Sequence, residues 1–98
     1  MFAILYEGAA EQDLADLRAF EQRRVLDEVD TQLRVNPMTP SRRKRILAGI
    51  LPPWNAVRPV WQLRVGDLRV VYDVNEAQRE VVVRAVRRKG RRTTKEIL

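Results

Sequence analysis

The chain has 98 residues, of which 45% are hydrophobic and 33% are charged, and it contains neither cysteine nor histidine. A disulfide framework and a zinc–thiolate site are therefore excluded, and the hydrophobic fraction is too high for a disordered protein of this charge. We expect one domain spanning residues 1–98, without a metal or cofactor, in the cytoplasm, whose reducing conditions suit a chain without cysteine. We expect no membrane contact, because no apolar run approaches the roughly 20 residues that cross a bilayer.

Positive charge is concentrated in the second part of the chain. The net charge of +6 comes from 19 Lys and Arg against 13 Asp and Glu. Residues 1–40 carry 4 basic and 8 acidic side chains, whereas residues 41–98 carry 15 and 5, so the net charges are −4 and +10. An excess of this size, made mostly of arginine, favours binding of phosphate or of an acidic protein partner. A basic surface that is merely solvated is the alternative.

A strand and two helices are predicted first along the chain. Residues 2–6 (FAILY) form an apolar run, which is typical of a strand covered on both faces or nearly so. Two helical patterns follow, with apolar stripes made of Ala9, Ala10, Leu14 and Leu17, and then of Val25, Leu26, Val29 and Leu33. We expect these helices to form a hairpin bent near Phe20 and to stop before Pro37, because proline disfavours helical geometry at the residue before it.

The segment 38–59 has the least regular pattern, with prolines at positions 40, 52, 53 and 59. Loops of this length in a compact domain are often functional. The basic run Arg42-Arg43-Lys44-Arg45 either contacts RNA or DNA phosphates or is a solvated face, and part of it could equally be a helical turn. Trp54 either stacks on a base or packs against the domain.

Residues 61–74 read WQLRVGDLRVVYDV, which is typical of a hairpin that turns at Gly66 and Asp67, since glycine supplies the positive φ of a two-residue turn. With that turn, Arg64 lies opposite Arg69. Side chains alternate across a strand, so one face carries the apolar set Trp61, Leu63, Val65, Leu68, Val70, Tyr72 and Val74. The other face carries Gln62, Arg64, Arg69, Val71 and Asp73. A slip by one residue would bury the arginines, so the register is well specified.

A further strand is predicted over residues 80–86, in which Val81, Val83 and Ala85 alternate against Val82, Arg84 and Val86. With the first set in the core, Arg84 lies on the same outer face as Arg64 and Arg69. Three arginines from neighbouring strands would then share one side of the sheet.

The predicted fold class is α+β: an N-terminal strand, a helical hairpin and a three-stranded antiparallel meander, with the helices on one face. After a basic tail, Thr93 and Glu96 match a capping box, which predicts a short terminal helix. Like charges directly opposed on neighbouring strands cost stability, so Arg64 beside Arg69 favours an anion between them. The alternative is that Asp73 and solvent neutralise the pair.

The stretch WQLRVGDLRVVYDVNE, followed by a valine-rich strand and a basic tail, resembles the RelE/ParE superfamily of toxins from type II toxin–antitoxin pairs. Members share the pattern W-x-L-R-V-G-D-Y/L-R-V-x-Y-x-V, and the resemblance covers essentially the whole chain. It implies a toxin held inactive by a cognate acidic antitoxin. RelE-type members cleave mRNA in the ribosomal A site without a metal, and ParE-type members inhibit DNA gyrase.

The resemblance also implies roles for individual residues. Arg69 occupies the position of a catalytic, phosphate-binding arginine after the turn, and Arg64 fits the same pattern. A basic cluster after the last strand belongs to the family's active site and matches Arg88, Lys89 and Arg91. We therefore predict catalytic roles for Arg64, Arg69, Arg88 and Lys89, and RNA contacts by Arg43, Lys44, Arg45, Trp54, Arg84, Arg91 and Arg92.

Proton transfer is where the chain departs from the family pattern. Val60 and Gln62 stand near positions that often carry lysine, and the tail has neither histidine nor tyrosine. Metal-free RNA cleavage needs a base for the 2′-hydroxyl and an acid for the 5′-oxygen, both best with a pKa near ambient pH. Arginines supply only the cationic stabilisation. Lys89, Lys95 and Asp73 are the candidates for proton transfer.

Three functions stay open. The first is a ribosome-dependent mRNA endonuclease that inhibits translation, with mRNA, the ribosome and a cognate antitoxin as partners in a possible hetero-oligomer. The second is a DNA gyrase inhibitor that acts by binding. The third is a toxin fold whose arginines serve only to dock the antitoxin.

Overall fold

The computed structural model describes residues 1–49, 57 and 59–98. Its elements in chain order are β1 (Ala3–Tyr6), α1 (Gly8–Ala15), α2 (Ala19–Leu33), β2 (Lys44–Ile46), β3 (Val60–Val65), β4 (Leu68–Asn75), β5 (Glu80–Arg88) and α3 (Thr94–Ile97). The predicted α+β class and the order of a strand, a helical hairpin and a meander are confirmed. Trp54 lies outside the described residues.

The strands form one five-stranded sheet in the order β1-β5-β4-β3-β2. The predicted meander β3-β4-β5 is antiparallel throughout, and β1 joins it in parallel beside β5. The structure adds β2, which pairs antiparallel with β3 where we expected a loop or a helical turn. The N-terminal strand is less covered than predicted, since Ala3 and Leu5 are exposed and only Ile4 and Tyr6 pack against the core.

The β3–β4 hairpin has the predicted register. Val65 pairs with Leu68 across the turn and Arg64 pairs with Arg69. Gly66 has a φ of 59°, which an L side chain rarely adopts. The turn therefore determines which residues of both strands face the helices.

The main core lies between the sheet and the helical hairpin. All seven apolar hairpin side chains predicted for this face are buried in it, together with Ala10 of α1 and Val25, Val29 and Leu33 of α2. Tyr72 is fully buried, its ring stacks on Trp61 with centroids 6.3 Å apart, and its hydroxyl donates to the Pro37 carbonyl at 2.6 Å. Leu26, predicted in the stripe, is exposed. We call this side of the sheet the helix face.

The opposite side, the outer face, is more covered than predicted. Leu47, Val60, Val71 and Ala85 form a second, smaller core there, against which Leu98 packs. The predicted capping box of Thr93 and Glu96 is present and opens α3. The Thr94 hydroxyl of α3 donates to Oε1 of buried Gln62 at 3.1 Å. The end of the chain thus shields the middle of the outer face, whereas Arg64 near the β3–β4 turn is exposed.

A β-bulge in β5 changes the alternation that we predicted. Val71 pairs with Ala85 and Tyr72 with Val83, so Arg84 has no partner on β4. The extra residue sends Ala85 to the outer face and Val86 to the main core, so their predicted faces were wrong. Strict alternation cannot anticipate a bulge.

Arg84 ties the bulge to the rest of the fold. Its guanidinium donates to both carboxylate oxygens of Asp73, at 2.7 and 3.1 Å, and it also pairs with Glu7 before α1. Asp73 is fully buried, and these bonds with Asp73 raise the pKa of Arg84. Asp73 therefore neutralises Arg84 and not the Arg64–Arg69 pair.

None of the helices in residues 1–49 and 59–98 combines the length and the hydrophobicity that a bilayer-spanning segment needs.

We predict that Arg84→Ala lowers the free energy of unfolding by about 3 to 5 kcal/mol, because removing one partner leaves the buried Asp73 charge uncompensated. Urea unfolding monitored by tryptophan fluorescence measures this change. Arg43→Ala is the control, since Arg43 pairs with Glu28 at 3.3 Å on the surface and such pairs contribute less than about 1 kcal/mol. Equal losses in the two variants would contradict the role assigned to Arg84.

Candidate phosphate-binding site

Three arginines from adjacent strands meet on the outer face beside the β3–β4 turn. Arg64 of β3 is the register partner of Arg69 of β4. Arg45 of β2 lies opposite Gln62, so it projects to the same face, and its guanidinium donates to the Thr94 hydroxyl at 3.3 Å. We call Arg45, Arg64 and Arg69 the outer-face cluster.

The cluster carries uncompensated positive charge. None of its three guanidiniums forms an ion pair with a carboxylate of residues 1–49, 57 or 59–98. The pKa of Arg69 is lowered, mainly by burial and then by the charges of Arg64 and Arg45, while Asp67 acts in the opposite direction. One Arg69 nitrogen donates to the carbonyls of Gly66 and Leu68, each at 2.9 Å. This anchors the side chain against the turn and leaves its charge for an external anion.

The row of arginines continues to Arg87, which pairs with Arg69 across β4 and β5. Arg87 is not free, however. It forms an ion pair with Asp13 of α1 and donates to the Ile97 carbonyl at 3.1 Å. Of the three arginines Arg64, Arg69 and Arg87, which lie side by side on β3, β4 and β5, only Arg87 is neutralised by a described carboxylate.

Arg88, predicted as catalytic, lies away from the cluster. It is the register partner of Leu68 and so projects to the helix face. There it donates to both carboxylate oxygens of Glu21, at 2.8 and 3.0 Å, and this bond lowers the pKa of Glu21. The structure does not bring Arg88 together with Arg64 and Arg69.

The other predicted residues of the basic tail lie beyond the end of β5. The backbone N–H of Lys89 donates to the Asp67 carbonyl at 2.9 Å, which holds the start of the tail beside the hairpin turn. Arg91 and Arg92 are exposed, and Arg92 donates to the Arg88 carbonyl. In the described part of the chain, no side-chain hydrogen bond connects these residues to the outer-face cluster.

The basic run before β2 divides between surface and interior. Lys44 is buried on the helix face, where its ammonium donates to the carbonyls of Asn36 at 2.6 Å and Gln32 at 3.4 Å. Burial lowers the pKa of Lys44. Lys44 therefore supports the end of α2 instead of the surface where RNA contact was predicted, while Arg43 and Arg45 are exposed.

Two further arginines lie near the cluster: Arg42, which belongs to the basic run considered in the sequence analysis, and Arg24, which we did not predict. Arg24 of α2 and Arg42 line a cavity of about 450 Å³ with Arg43, Arg64 and Gly66. We call it the edge cavity, since it lies at the hairpin end of the β2–β3 edge. Sequence reasoning passed over Arg24 because it belongs to an acidic segment, although the adjacent Arg23 and Arg24 form a basic pair there.

Among the residues that the structure describes, no general acid or base is placed at the outer-face cluster by a hydrogen bond to one of its arginines. Asp73 is held by Arg84, and Tyr72 is buried with its pKa raised by burial. Burial, reinforced by the charge of Asp30, raises the pKa of Tyr6 to about 12. The described geometry can bind an anion and stabilise developing negative charge, whereas proton transfer would fall to Lys89, Lys95 or water.

We predict that the raised pKa of Tyr6 makes the fold sensitive to alkali. Between pH 10 and about 12 the unfolded chain loses its Tyr6 proton while the folded chain retains it, so the free energy of unfolding falls as pH rises through this window. Tyr6→Phe should make this decline shallower. Urea unfolding at a series of alkaline pH values measures it, and curves that stay parallel for the variant and the wild type would contradict the prediction.

Comparison with known proteins identifies the family. A family model described as the ParE toxin of type II toxin–antitoxin system, parDE, matches residues 4–93. No curated protein sequence matches the chain.

Solved structures of toxins share the fold. RelE in the RelE–RelB complex from Pyrococcus horikoshii has a TM-score of 0.68 at 22% identity, covering 92% of this chain and 97% of that one. The isolated E. coli RelE toxin has a TM-score of 0.68 at 14% identity, with 88% and 82% covered. The RelB–RelE antitoxin–toxin complex from Methanococcus jannaschii matches with a TM-score of 0.62 at 15% identity, covering 87% of this chain and 89% of that one. With the family model spanning nearly all of its elements, the chain belongs to the ParE toxin family of type II toxin–antitoxin systems, within the RelE/ParE superfamily.

Proposed function

We propose that the outer-face cluster binds the phosphates of mRNA and that the chain is a metal-free endonuclease acting on mRNA in the ribosome. The observation that carries this proposal is the position of Arg64 opposite Arg69, with neither paired to a described carboxylate. Guanidinium groups are planar forks that match phosphate oxygens, and clustered cations favour a polyanion over a small neutral ligand.

The cluster would act on the phosphate at the cleaved bond. In the metal-free reaction the 2′-oxygen attacks phosphorus and loses its proton, while the bond to the 5′-oxygen breaks and that oxygen gains a proton. Arg64 and Arg69 would stabilise the negative charge that grows on the non-bridging oxygens, and Arg45 would hold the strand. General acid–base groups contribute about 10²- to 10⁴-fold, so without one in the cluster we expect slow cleavage.

We further propose that a cognate acidic antitoxin binds the chain. The net charge of +10 over residues 41–98 is complementary to an acidic partner. The RelE proteins of Pyrococcus horikoshii and Methanococcus jannaschii, which share the fold, occur in complexes with RelB. An antitoxin that covers Arg64 and Arg69 would block the site directly.

A second candidate function is inhibition of DNA gyrase by binding. Two observations favour it: the ParE model matches residues 4–93, and the cluster lacks a proton carrier among the described side chains. An inhibitor that acts by binding needs positive charge but no general acid or base.

We predict that Arg69→Ala reduces cleavage of ribosome-bound mRNA at least 100-fold, as removal of a transition-state hydrogen-bond donor typically does. Arg69→Lys should recover only part of the rate, because an ammonium keeps the charge and loses the planar fork. Purified protein is incubated with mRNA-programmed ribosomes, and new 5′ ends are mapped. Arg23→Ala is the matched control, since Arg23 is exposed on α2 and forms no ion pair within the described chain.

Two outcomes separate the candidates. If Arg69→Ala cleaves as fast as the wild type, the endonuclease site is wrong. If the wild type leaves mRNA intact and instead stops supercoiling by purified gyrase, the second candidate replaces the first.

A further inference from the structure

We propose that the edge cavity is a second phosphate site, which holds the RNA backbone beside the phosphate bound at the outer-face cluster. Its four arginines come from separate parts of the fold: Arg24 from α2, Arg42 and Arg43 from the bend before β2, and Arg64 from β3. Its volume is about 450 Å³, which leaves room for a phosphate group among these side chains. The identity of the ligand as RNA rests on the proposed function, whereas the site itself rests on geometry.

The bend that carries Arg42 and Arg43 is held by hydrogen bonds from its backbone N–H groups to Ser41 and by the start of the β2–β3 ladder. The Ser41 hydroxyl accepts from the N–H groups of Arg43 at 3.3 Å and Lys44 at 3.2 Å. The N–H of Arg64 in turn donates to the Arg43 carbonyl at 2.7 Å, which continues the β2–β3 ladder by one residue. Arg43 and Arg64 are therefore fixed relative to each other by the backbone.

Arg24 is seated against the hairpin turn. Its terminal nitrogen Nη1 lies 2.8 Å from the point that a Cβ on Gly66 would occupy. Gly66 thus serves twice, since it permits the positive φ of the turn and leaves room for the Arg24 guanidinium. The contact brings a charge from the helix face to the edge of the outer face.

Charge in the edge cavity is largely unbalanced. Arg43 pairs with Glu28 at 3.3 Å, but Arg24, Arg42 and Arg64 form no ion pair within the described ranges. Water and salt screen the repulsion among these exposed cations only in part, and an anion that enters the cavity relieves it. A phosphate, which accepts several charge-assisted hydrogen bonds at once, is the anion that suits guanidinium groups from different directions.

Two features favour a nucleic-acid strand over an acidic peptide. Arg64 belongs to both the edge cavity and the outer-face cluster, so positive charge continues from one to the other, as a ligand with repeated phosphates requires. The described lining consists of arginines and one glycine, without an apolar side chain. Docked protein segments usually bury apolar anchors, which this lining does not receive.

The test compares two variants that lose the same charge. Arg24→Ala/Arg42→Ala removes two cations of the edge cavity, and Arg18→Ala/Arg23→Ala removes two exposed cations of the same helical hairpin that lie outside it. Fluorescence anisotropy measures binding of labelled 2′-O-methyl RNA, either two or about eight nucleotides long. The 2′-O-methyl group prevents cleavage, so binding is measured whether or not the chain is a nuclease.

For the longer RNA we expect the cavity variant to lose at least tenfold in affinity. The slope of log K against log salt should become shallower by about 0.7, since the variant loses one phosphate contact and each phosphate contact to a single strand contributes about 0.7. The affinity of the cavity variant for the dinucleotide, whose single phosphate would bind at the outer-face cluster, should differ from that of the wild type by less than twofold. The affinity of the hairpin control for either RNA should differ from that of the wild type by less than twofold. Arg69→Ala should weaken the binding of both RNAs.

Several outcomes would overturn the second site. Equal losses in the cavity variant and the hairpin control would show a general charge effect, and equal losses for short and long RNA would show one shared site. A polyglutamate peptide that binds as tightly as the longer RNA, and whose affinity falls by the same factor in the cavity variant, would show a site for an acidic protein. The same result with inorganic pyrophosphate would show a site for a free anion. If length-dependent loss occurs but ribosomal cleavage does not, the second site stands and the proposed cleavage fails.

Discussion

The pairing of β3 with β4 is the constraint on which the rest of the structure depends. The two-residue turn at Gly66 sets this pairing, and the pairing decides in one step which side chains enter the core and which reach solvent. Because side chains alternate along each strand, the register that stacks Trp61 on Tyr72 under the helices also places Arg64 and Arg69 on the other face. Packing on one face therefore holds two like charges together on the other, and the free energy of that packing offsets their repulsion.

Carboxylates neutralise some of the arginines of this chain and leave others charged. Asp73, Asp13 and Glu21 bind the three arginines of β5, which fastens that strand to β4 and to both long helices. The arginines on β2 and β3 and in the adjacent bend have few acidic neighbours in the described structure. The division explains why a strongly basic chain presents concentrated charge at one end of the sheet instead of an evenly basic surface.

Local pattern was sufficient to predict the hairpin, its register and the arginines that share its outer face. The residues Gly66 and Asp67 specify the turn, and alternation does the rest. What sequence reasoning missed depends on contacts between distant segments. Arg84, the extra residue of the bulge, forms ion pairs with Asp73 and Glu7, which lie far from it in the sequence. The strand β2 forms because its backbone hydrogen-bonds to the free edge of β3. Burial of Lys44 follows from that added strand, since its register places Lys44 under α2.

The last residues of the chain serve both packing and electrostatics. Leu98 lies on the smaller core, Ile97 accepts a hydrogen bond from Arg87, and Thr94 bonds to Arg45 and Gln62. Stepwise removal of residues by a carboxypeptidase would therefore uncover Val71 and release Arg45 while the helix-side core stayed intact. Such trimming would alter the surroundings of Arg45 before it unfolded the molecule, so the integrity of the carboxyl end reports on the geometry of the outer face more directly than the melting temperature does.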